Sequence, residues 1–445
     1  MAGYIEDRWW TKKPDPKTGK KRKTARYGQG KRWRVAGIPG VRDRSFENKT
    51  GPDGADAWLA DAQSKSRAGE FIDPRSGNLT LTEYIEDEWW PSVTGDVSTL
   101  QTVKGRVWNH IIPLMGHQTL NAIKVAQLRA FVKELNKQTG PGTALAAWGY
   151  LSSILQMAVE DERIPRNYAT YRSVRAGLPK RPERKARAWQ RDRVRAVQKA
   201  MDSRFQVMVD LGVGVGLRQG EVFGLSVEDI DEGAGVIHVR RQIRKIGGRL
   251  VFAPPKGGKT RDVPLPGQVA SRLRSHLEAF PASGVTLPWM NPETPTSEKE
   301  RKDWAPQTHV LVVTAVRGGP LRRDSWNLRQ WKPALAAAGV ITEPEMLQQV
   351  SSDGKRECTV LKYEESREHG FHALRHTFAS VHLDARENPV AVSKWLGHAD
   401  PSITLRIYAH MMPEADGRGR AAMDAWFEAT PDLFSPDSPQ GVEAE

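Results

Sequence analysis

Six side chains, spread over four blocks of the sequence, have the types needed to handle a phosphate. Arg218 lies in GVGLRQGEVFGL, Lys256 in PPKGGKTRDVPL, His372 and Arg375 in FHALRHTFAS, and His398 and Tyr408 in LGHADPSITLRIYAH. A phosphodiester being cut carries charge on its non-bridging oxygens, and planar guanidiniums match those oxygens bidentately. Two arginines, a lysine and two histidines therefore describe a cationic pocket, with Tyr408 as the one nucleophile in it. Each residue also has an ordinary explanation. Arg218 and Glu221 suit a helix ion pair, His372 a satisfied buried histidine, and Tyr408 a core aromatic. Taken together, the ordinary explanations are the poorer account.

Three motifs pointing to other chemistry fail on inspection. Gly212, Gly214 and Gly216 suggest a dinucleotide loop, but Leu217 stands where its last glycine belongs. Gly258-Lys259-Thr260 resembles the end of a phosphate-binding P-loop, yet Ala253 occupies the position of the opening glycine. His372 and His376 have the spacing of a helical zinc pair, but Ala373 replaces the glutamate that such a protease needs. Neither a metal nor a nucleotide cofactor is expected.

The elements that must position the six residues belong to a long, basic chain. It has 445 residues and a net charge of 67 − 53 = +14, which points to a polyanionic partner such as nucleic acid. Hydrophobic residues make up 38% and tryptophans number 15, enough for packed cores. The single cysteine, Cys358, excludes an internal disulfide and fits a reducing cytoplasm. The first residues, MAGYIEDRWW, lack the apolar stretch of a signal peptide, and no apolar run reaches bilayer length. A soluble, cytoplasmic protein with no membrane partner is expected.

The fold class expected is multidomain, mainly α with small β-sheets. Residues 1–74 interleave Trp9, Trp10, Tyr27 and Trp33 with cations, and predict a small basic sheet followed by a helix from about Ala55 to Ala68. Lys12, Lys13, Lys20, Lys21, Arg22, Lys23, Lys31, Arg32, Trp33 and Arg34 are its DNA-contact candidates. Residues 79–178 carry apolar positions at helical spacing, among them Val103, Val107, Ile111, Leu151, Ile154 and Leu155, and predict a helix bundle. Residues 179–187 (PKRPERKAR, after the leucine) read as a basic linker that can follow a phosphate backbone through Lys180, Arg181, Arg184, Lys185 and Arg187. Residues 188–430 mix helices with a strand group at Val236–Arg241, Leu250–Phe252 and Arg261–Pro264, and 431–445 read as a disordered tail. The near-repeat YIEDRWW and YIEDEWW, at Tyr4–Trp10 and Tyr84–Trp90, is read as coincidence because the flanking residues diverge.

The four blocks, in this order, resemble the tyrosine recombinases, and more particularly the phage and mobile-element integrases. The resemblance is carried by about Ala188 to Phe427. The helical segment looks like that family's core-binding domain, and the basic N-terminal segment is similar to its arm-binding domain. Membership would imply strand exchange without metal or ATP. Tyr408 would attack the scissile phosphate to leave a 3′-phosphotyrosine and a free 5′-hydroxyl. Arg218 and Arg375 would hold the non-bridging oxygens, and His398 would bond to the same phosphate. Lys256, on a hairpin between strands, would protonate the departing 5′-oxygen, with Lys259 as its neighbour on the DNA. His372 would accept the nucleophile's proton or stabilise the pentavalent state. Glu221 would lie beside Arg218 on one helix face and orient it. His376 and Thr377 read as structural. Free tyrosine has a pKa of about 10, and the cationic cluster is expected to favour its phenolate.

The resemblance also implies partners: double-stranded DNA attachment sites, a tetramer on DNA, and an accessory factor that sets direction. The C-terminal helix would link protomers, with Ala422, Trp426 and Phe427 on its apolar face. Two other readings use the same residues. A type IB topoisomerase would relax supercoils with related chemistry, and a silent DNA-binding protein would keep only the scaffold. The basic N-terminal segment argues against the first, and the intact set of six against the second. Residues 340–370 depart from the family pattern and read as an insertion, either a surface loop or an ordered hairpin.

Overall fold

The computed structural model of the protein describes residues 3–38, 41–68, 75–181, 187–291, 293–350, 357–364, 368–412 and 417–428. It divides into two compact units, residues 1–183 and 184–445. The 431–445 tail and the candidates Arg184 and Lys185 lie outside the described residues.

The first unit holds two separate cores. Strands Tyr4–Asp7, Trp33–Ala36 and Arg44–Phe46 form an antiparallel sheet with Trp33–Ala36 in the middle. Helix Ala55–Ala68, with the bounds read from the sequence, buries Ala55 and Ala62 against Val35, Ile38 and Phe46. The second core is helical. Helices Val97–Arg106, Val125–Gln138 and Pro141–Glu160 bury Val103, Leu128, Leu135, Leu151 and Ile154 around one centre. Their starts follow from capping chemistry: the Asp96 side chain accepts the Ser98 N–H, and Pro141 sits where a missing N–H costs nothing.

The repeated tetrapeptide takes two different structures. Tyr4–Asp7 is a strand paired with Trp33–Ala36, whereas Tyr84 closes helix Leu81–Tyr84 and Ile85–Trp89 continue it in a wider turn. The difference comes from the neighbours. Thr80 and Glu83 form a reciprocal capping box at the second copy, which starts a helix where the first copy finds a sheet partner.

The second unit is organised around helices Ser203–Gly214 and His372–Asp384, which pack side by side. Gly212 permits the close approach: a Cβ there would lie 2.8 Å from the Leu374 side chain and 3.1 Å from the Phe371 ring. Trp189, Trp326, Trp331 and Phe371 extend this core, with Trp189 and Trp331 stacked at 6.0 Å.

The strands differ from the expected single group. Val236–Val239 pairs with Arg261–Pro264 and with Ile230–Asp231, while Arg249–Ala253 pairs with a strand not anticipated, Gln242–Ile246. Gly247 and Gly248, both at positive φ, turn that second pair as a tight hairpin. A further antiparallel pair joins Ser283–Leu287 to Gln307–Leu311. In the insertion, Glu345–Val350 and Glu357–Lys362 are antiparallel partners, with Met346 opposite Leu361, so the hairpin alternative holds.

Three short helices close the unit: Pro389–Leu396, Pro401–Tyr408 and Arg418–Glu428. Asn388 and Asp400 cap the first two, and proline follows each cap at the first helical position. Gly397 ends the first in the left-handed conformation at φ 60°, which turns the chain so that His398 and the next helix fold back.

Candidate active site

The floor of the site is a buried carboxylate. Arg218 is the N-cap of helix Gln219–Phe223, and Glu221 is its third residue, so the two meet through a capping box. The Glu221 carboxylate accepts the Arg218 backbone N–H at 2.9 Å and its Nη1 at 2.9 Å. This replaces the expected geometry, since Arg218 precedes the helix instead of sharing a face with Glu221. Arg261 then reaches in from strand Arg261–Pro264 and donates Nη1 and Nη2 to the same carboxylate at 3.0 and 2.7 Å. Its Nε donates to the Trp395 carbonyl at 2.6 Å, which ties the strand to the end of helix Pro389–Leu396. Burial alone would raise the Glu221 carboxyl, but the Arg261 fork and the charges of Arg218 and Arg375 hold it down to about 2.

Arg375 stands deeper than Arg218. It is 1% exposed, and it donates Nη1 to the Gly216 carbonyl at 2.7 Å and Nη2 to the Leu396 carbonyl. Gly216 is held at φ +68° and a Cβ there would lie 2.6 Å from the Phe378 ring, so the carbonyl that seats Arg375 depends on glycine. Burial, then the like charge of Arg218, lowers the guanidinium to about 9. An arginine has five N–H groups, so these two bonds leave others for a ligand. Arg218 donates Nη2 to the Gly397 carbonyl at 3.3 Å and keeps a fifth of its side-chain surface, 20%, accessible.

The tyrosine and histidines complete the cluster. Tyr408 ends helix Pro401–Tyr408 and is 1% exposed, with its hydroxyl 2.7 Å from His376 Nδ1. The His372 and His376 rings meet edge to face at 4.7 Å. His398 places Nδ1 2.7 Å from the buried Thr404 hydroxyl, which fixes its ring. Burial and the Arg375 charge push His376 down to about 4, and burial with Arg375 and Arg218 does the same for His398, to about 4. The His372 imidazolium is disfavoured in the same direction by desolvation of the ring and by His376, Arg375 and Arg218, although the residue as a whole stays exposed. Tyr408 departs from expectation. Burial raises it to about 12, outweighing the pull of Arg375 and Arg218 toward the phenolate.

Among the described residues, Lys256 has no hydrogen bond or ion pair to this cluster. It is exposed, with Lys259, on the segment 254–260 that joins strand Arg249–Ala253 to Arg261–Pro264. Those strands belong to different sheets, so the segment is a connection and not a hairpin.

Comparison with known proteins bears on this geometry. The sequence profile of the phage integrase family matches residues 342–414, the span that contains His372, Arg375, His398 and Tyr408. The family model and the relatives below support a tyrosine recombinase of the integrase type. It is 25% identical over 317 residues to a XerC-like tyrosine recombinase of Caldanaerobacter subterraneus, covering 66% of this chain and 69% of that one. It is 27% identical over 255 residues to a putative prophage phiRv2 integrase of Mycobacterium tuberculosis, covering 51% of this chain and 64% of that one. The fold is shared with the Tn1549 transposon integrase, solved with a circular intermediate DNA, at a TM-score of 0.56 and 16% identity over 78% of this chain and 99% of that one. The lambda integrase tetramer on a Holliday junction gives 0.50 and 14% over 93% and 97%. Site-specific recombination is the activity that goes with this family.

The basic N-terminal candidates fall into two groups. Arg32 pairs with Asp7, Arg34 with Asp43 and Glu6, and Arg22 with Asp15, so these three already serve the small sheet and its loops. Trp33 packs against the small core. Lys13, Lys20, Lys21 and Lys31 are exposed, Lys12 lies 5.5 Å from the Tyr4 ring and Lys23 4.0 Å from the Tyr27 ring. Lys180 and Arg181 are exposed, and Arg187 lies 3.7 Å from Glu368. Two residues of the site were missed in the sequence. Arg261 stood in PPKGGKTRDVPL but carried no role, and its inward register on a strand was the signal. His376 reads as structural from the sequence, although its spacing from His372 sets both on one side of helix His372–Asp384. Thr377 is structural as expected: its hydroxyl accepts the Trp189 N–H and donates to the Ala373 carbonyl.

Proposed function

We propose that this recombinase integrates a phage or other mobile element by cutting and rejoining DNA through a 3′-phosphotyrosine. The observation that carries the reading is the placement of the Tyr408 hydroxyl, buried on a histidine and within the field of Arg375 and Arg218. Tyr408 attacks the scissile phosphorus, and Arg218 with the unused donors of Arg375 neutralises the charge gathered on the non-bridging oxygens. His398, fixed by Thr404, turns its other nitrogen to the same phosphate. Lys256 comes in on its exposed segment when DNA is bound and protonates the departing 5′-oxygen. The covalent intermediate keeps the phosphodiester energy, so resealing by a partner strand's hydroxyl needs neither a metal nor a nucleotide.

The rest of the chain serves assembly in this proposal. Residues 1–74 act as an arm-type DNA-binding domain, 79–178 as the core-binding domain and 188–430 as the catalytic domain, joined by the basic segment 179–187. Four protomers gather on two duplexes, linked through helix Arg418–Glu428, whose Met423, Trp426 and Phe427 are exposed. An accessory factor sets direction.

Covalent capture tests the chemistry. Wild type and Tyr408→Phe are incubated with fragmented, nicked host DNA and denatured in detergent, and the DNA left on the protein is sequenced. A single enriched sequence with wild type alone is expected. Scattered attachment would favour a topoisomerase-like activity, and adducts formed by Tyr408→Phe would reject Tyr408 as nucleophile.

A further inference from the structure

We propose that His376, and not His372, is the base that removes the proton of the Tyr408 hydroxyl. The inference rests on the reading of Tyr408 as nucleophile and adds a catalytic residue to it. Among the described residues, the Tyr408 hydroxyl has one hydrogen-bond partner, His376 Nδ1 at 2.7 Å. A buried tyrosine hydroxyl donates where it finds an acceptor. Burial and Arg375 keep that imidazole neutral, with one ring nitrogen free to accept, and we assign the lone pair to Nδ1 and the hydrogen to Nε2. His372 instead presents its ring to His376, edge to face, and no hydrogen bond joins it to Tyr408 among the described residues.

The step balances in protons and bonds. As the Tyr408 oxygen bonds to phosphorus, its O–H bond breaks and an N–H bond forms at His376 Nδ1, giving an imidazolium. The bond from phosphorus to the 5′-oxygen breaks, and that oxygen takes a proton from the general acid assigned to Lys256. The charges facing His376 are Arg375 and His372 from its own helix, Tyr408 from helix Pro401–Tyr408 and His398 from the turn before that helix. Arg375 opposes the imidazolium. The bound phosphodiester brings a negative charge into the same cluster and offsets that opposition, so the base becomes competent when substrate is in place.

The test is single-turnover adduct formation on a nicked site at saturating DNA, with duplex affinity measured beside it. His376→Asn keeps a polar atom near Nδ1 but cannot take the proton, and is expected to slow the adduct by about 10²-fold or more at unchanged affinity. His376→Ala should be slowed similarly and recover with added imidazole, which a packing defect would not do. Wild-type rates in His376→Asn, or an Ala variant that folds and binds but ignores imidazole, overturn the proposal. If Tyr408→Phe forms adduct in the same assay, the nucleophile assignment has failed instead. Should neither histidine variant fold, the native chain with 3,5-difluorotyrosine at position 408 decides. A histidine base predicts an acid limb of the pH–rate profile that stays in place on fluorination, and a limb that moves with the phenol overturns it.

Discussion

Glu221 and Arg261 meet fork to fork, with the two guanidinium nitrogens 3.0 and 2.7 Å from the two carboxylate oxygens, beneath Arg218. Both side chains are buried, so the pair holds strand, helix cap and the Gly397 turn to one another.

Removing the charge from that carboxylate leaves Arg261 buried without its counter-ion. Glu221→Gln is therefore expected to lose roughly 3–5 kcal/mol of stability, the range for breaking a buried pair from one side. Urea unfolding measures it. Adduct formation should fall as well, because Arg218 loses the oxygen that holds its Nη1. A Gln variant of unchanged stability would mean that the fork is dispensable.

Acid should act on the same cluster in two stages. His376 and His398 bind protons in the unfolded chain below about pH 6.5, but in the folded chain only near 4. The unfolded state then holds more protons, and stability falls as pH drops through that window, by about 1.4 kcal/mol per pH unit for each full proton of difference. Both rings are partly open to solvent, so each contributes less than that full-proton figure. Glu221, held at about 2, adds a second loss below about pH 4.5. Urea midpoints from pH 7 to 3 should fall throughout. In His376→Asn the upper stage should flatten; an unchanged slope between pH 6.5 and 4 would contradict a neutral His376 at pH 6.

How much of this was legible in the sequence depended on whether the determinant was local. The cluster of Arg218, His372, Arg375, His398 and Tyr408 was readable because each residue sits in a block with its own signature, and the structure brings all five together. The role of Arg261 was not, since its significance lies in a contact 40 residues away in the chain. The three expected strands are present, and the Gly247-Gly248 turn adds the partner strand Gln242–Ile246, whose mixed polar pattern gives little signal of its own. YIED shows the opposite limit: identical letters make a strand at Tyr4 and a helix at Tyr84, because sheet pairing and a Thr80 cap decide, not the tetrapeptide. The shift of Tyr408 runs against the sequence expectation because charge can be counted in a sequence and burial cannot.

Gly216 gives a test of how Arg375 is seated. Its φ of +68° and the position of the Phe378 ring 2.6 Å from a built Cβ leave no room for a side chain. Gly216→Ala is expected to cost roughly 1–3 kcal/mol from backbone strain, plus the shift of the carbonyl that accepts Arg375 Nη1. Adduct formation should fall further than stability alone explains under conditions where the variant is folded. Full activity in a folded variant would show that Arg375 does not depend on this carbonyl.

Lys256 and Lys259 are both exposed on one segment, with Gly257 and Gly258 between them at positive φ, so either ammonium can swing toward bound DNA. A leaving-group substitution separates them. A 5′-oxygen needs a proton as it departs, whereas a bridging 5′-sulfur leaves as a thiolate without one. Lys256→Ala should therefore lose about 10²-fold or more on the oxygen substrate and recover on the sulfur substrate. Lys259→Ala, as a phosphate contact, should weaken DNA affinity and its salt dependence equally on both. If Lys259→Ala shows the sulfur rescue, the acid is Lys259; if neither variant does, protonation of the 5′-oxygen comes from another group.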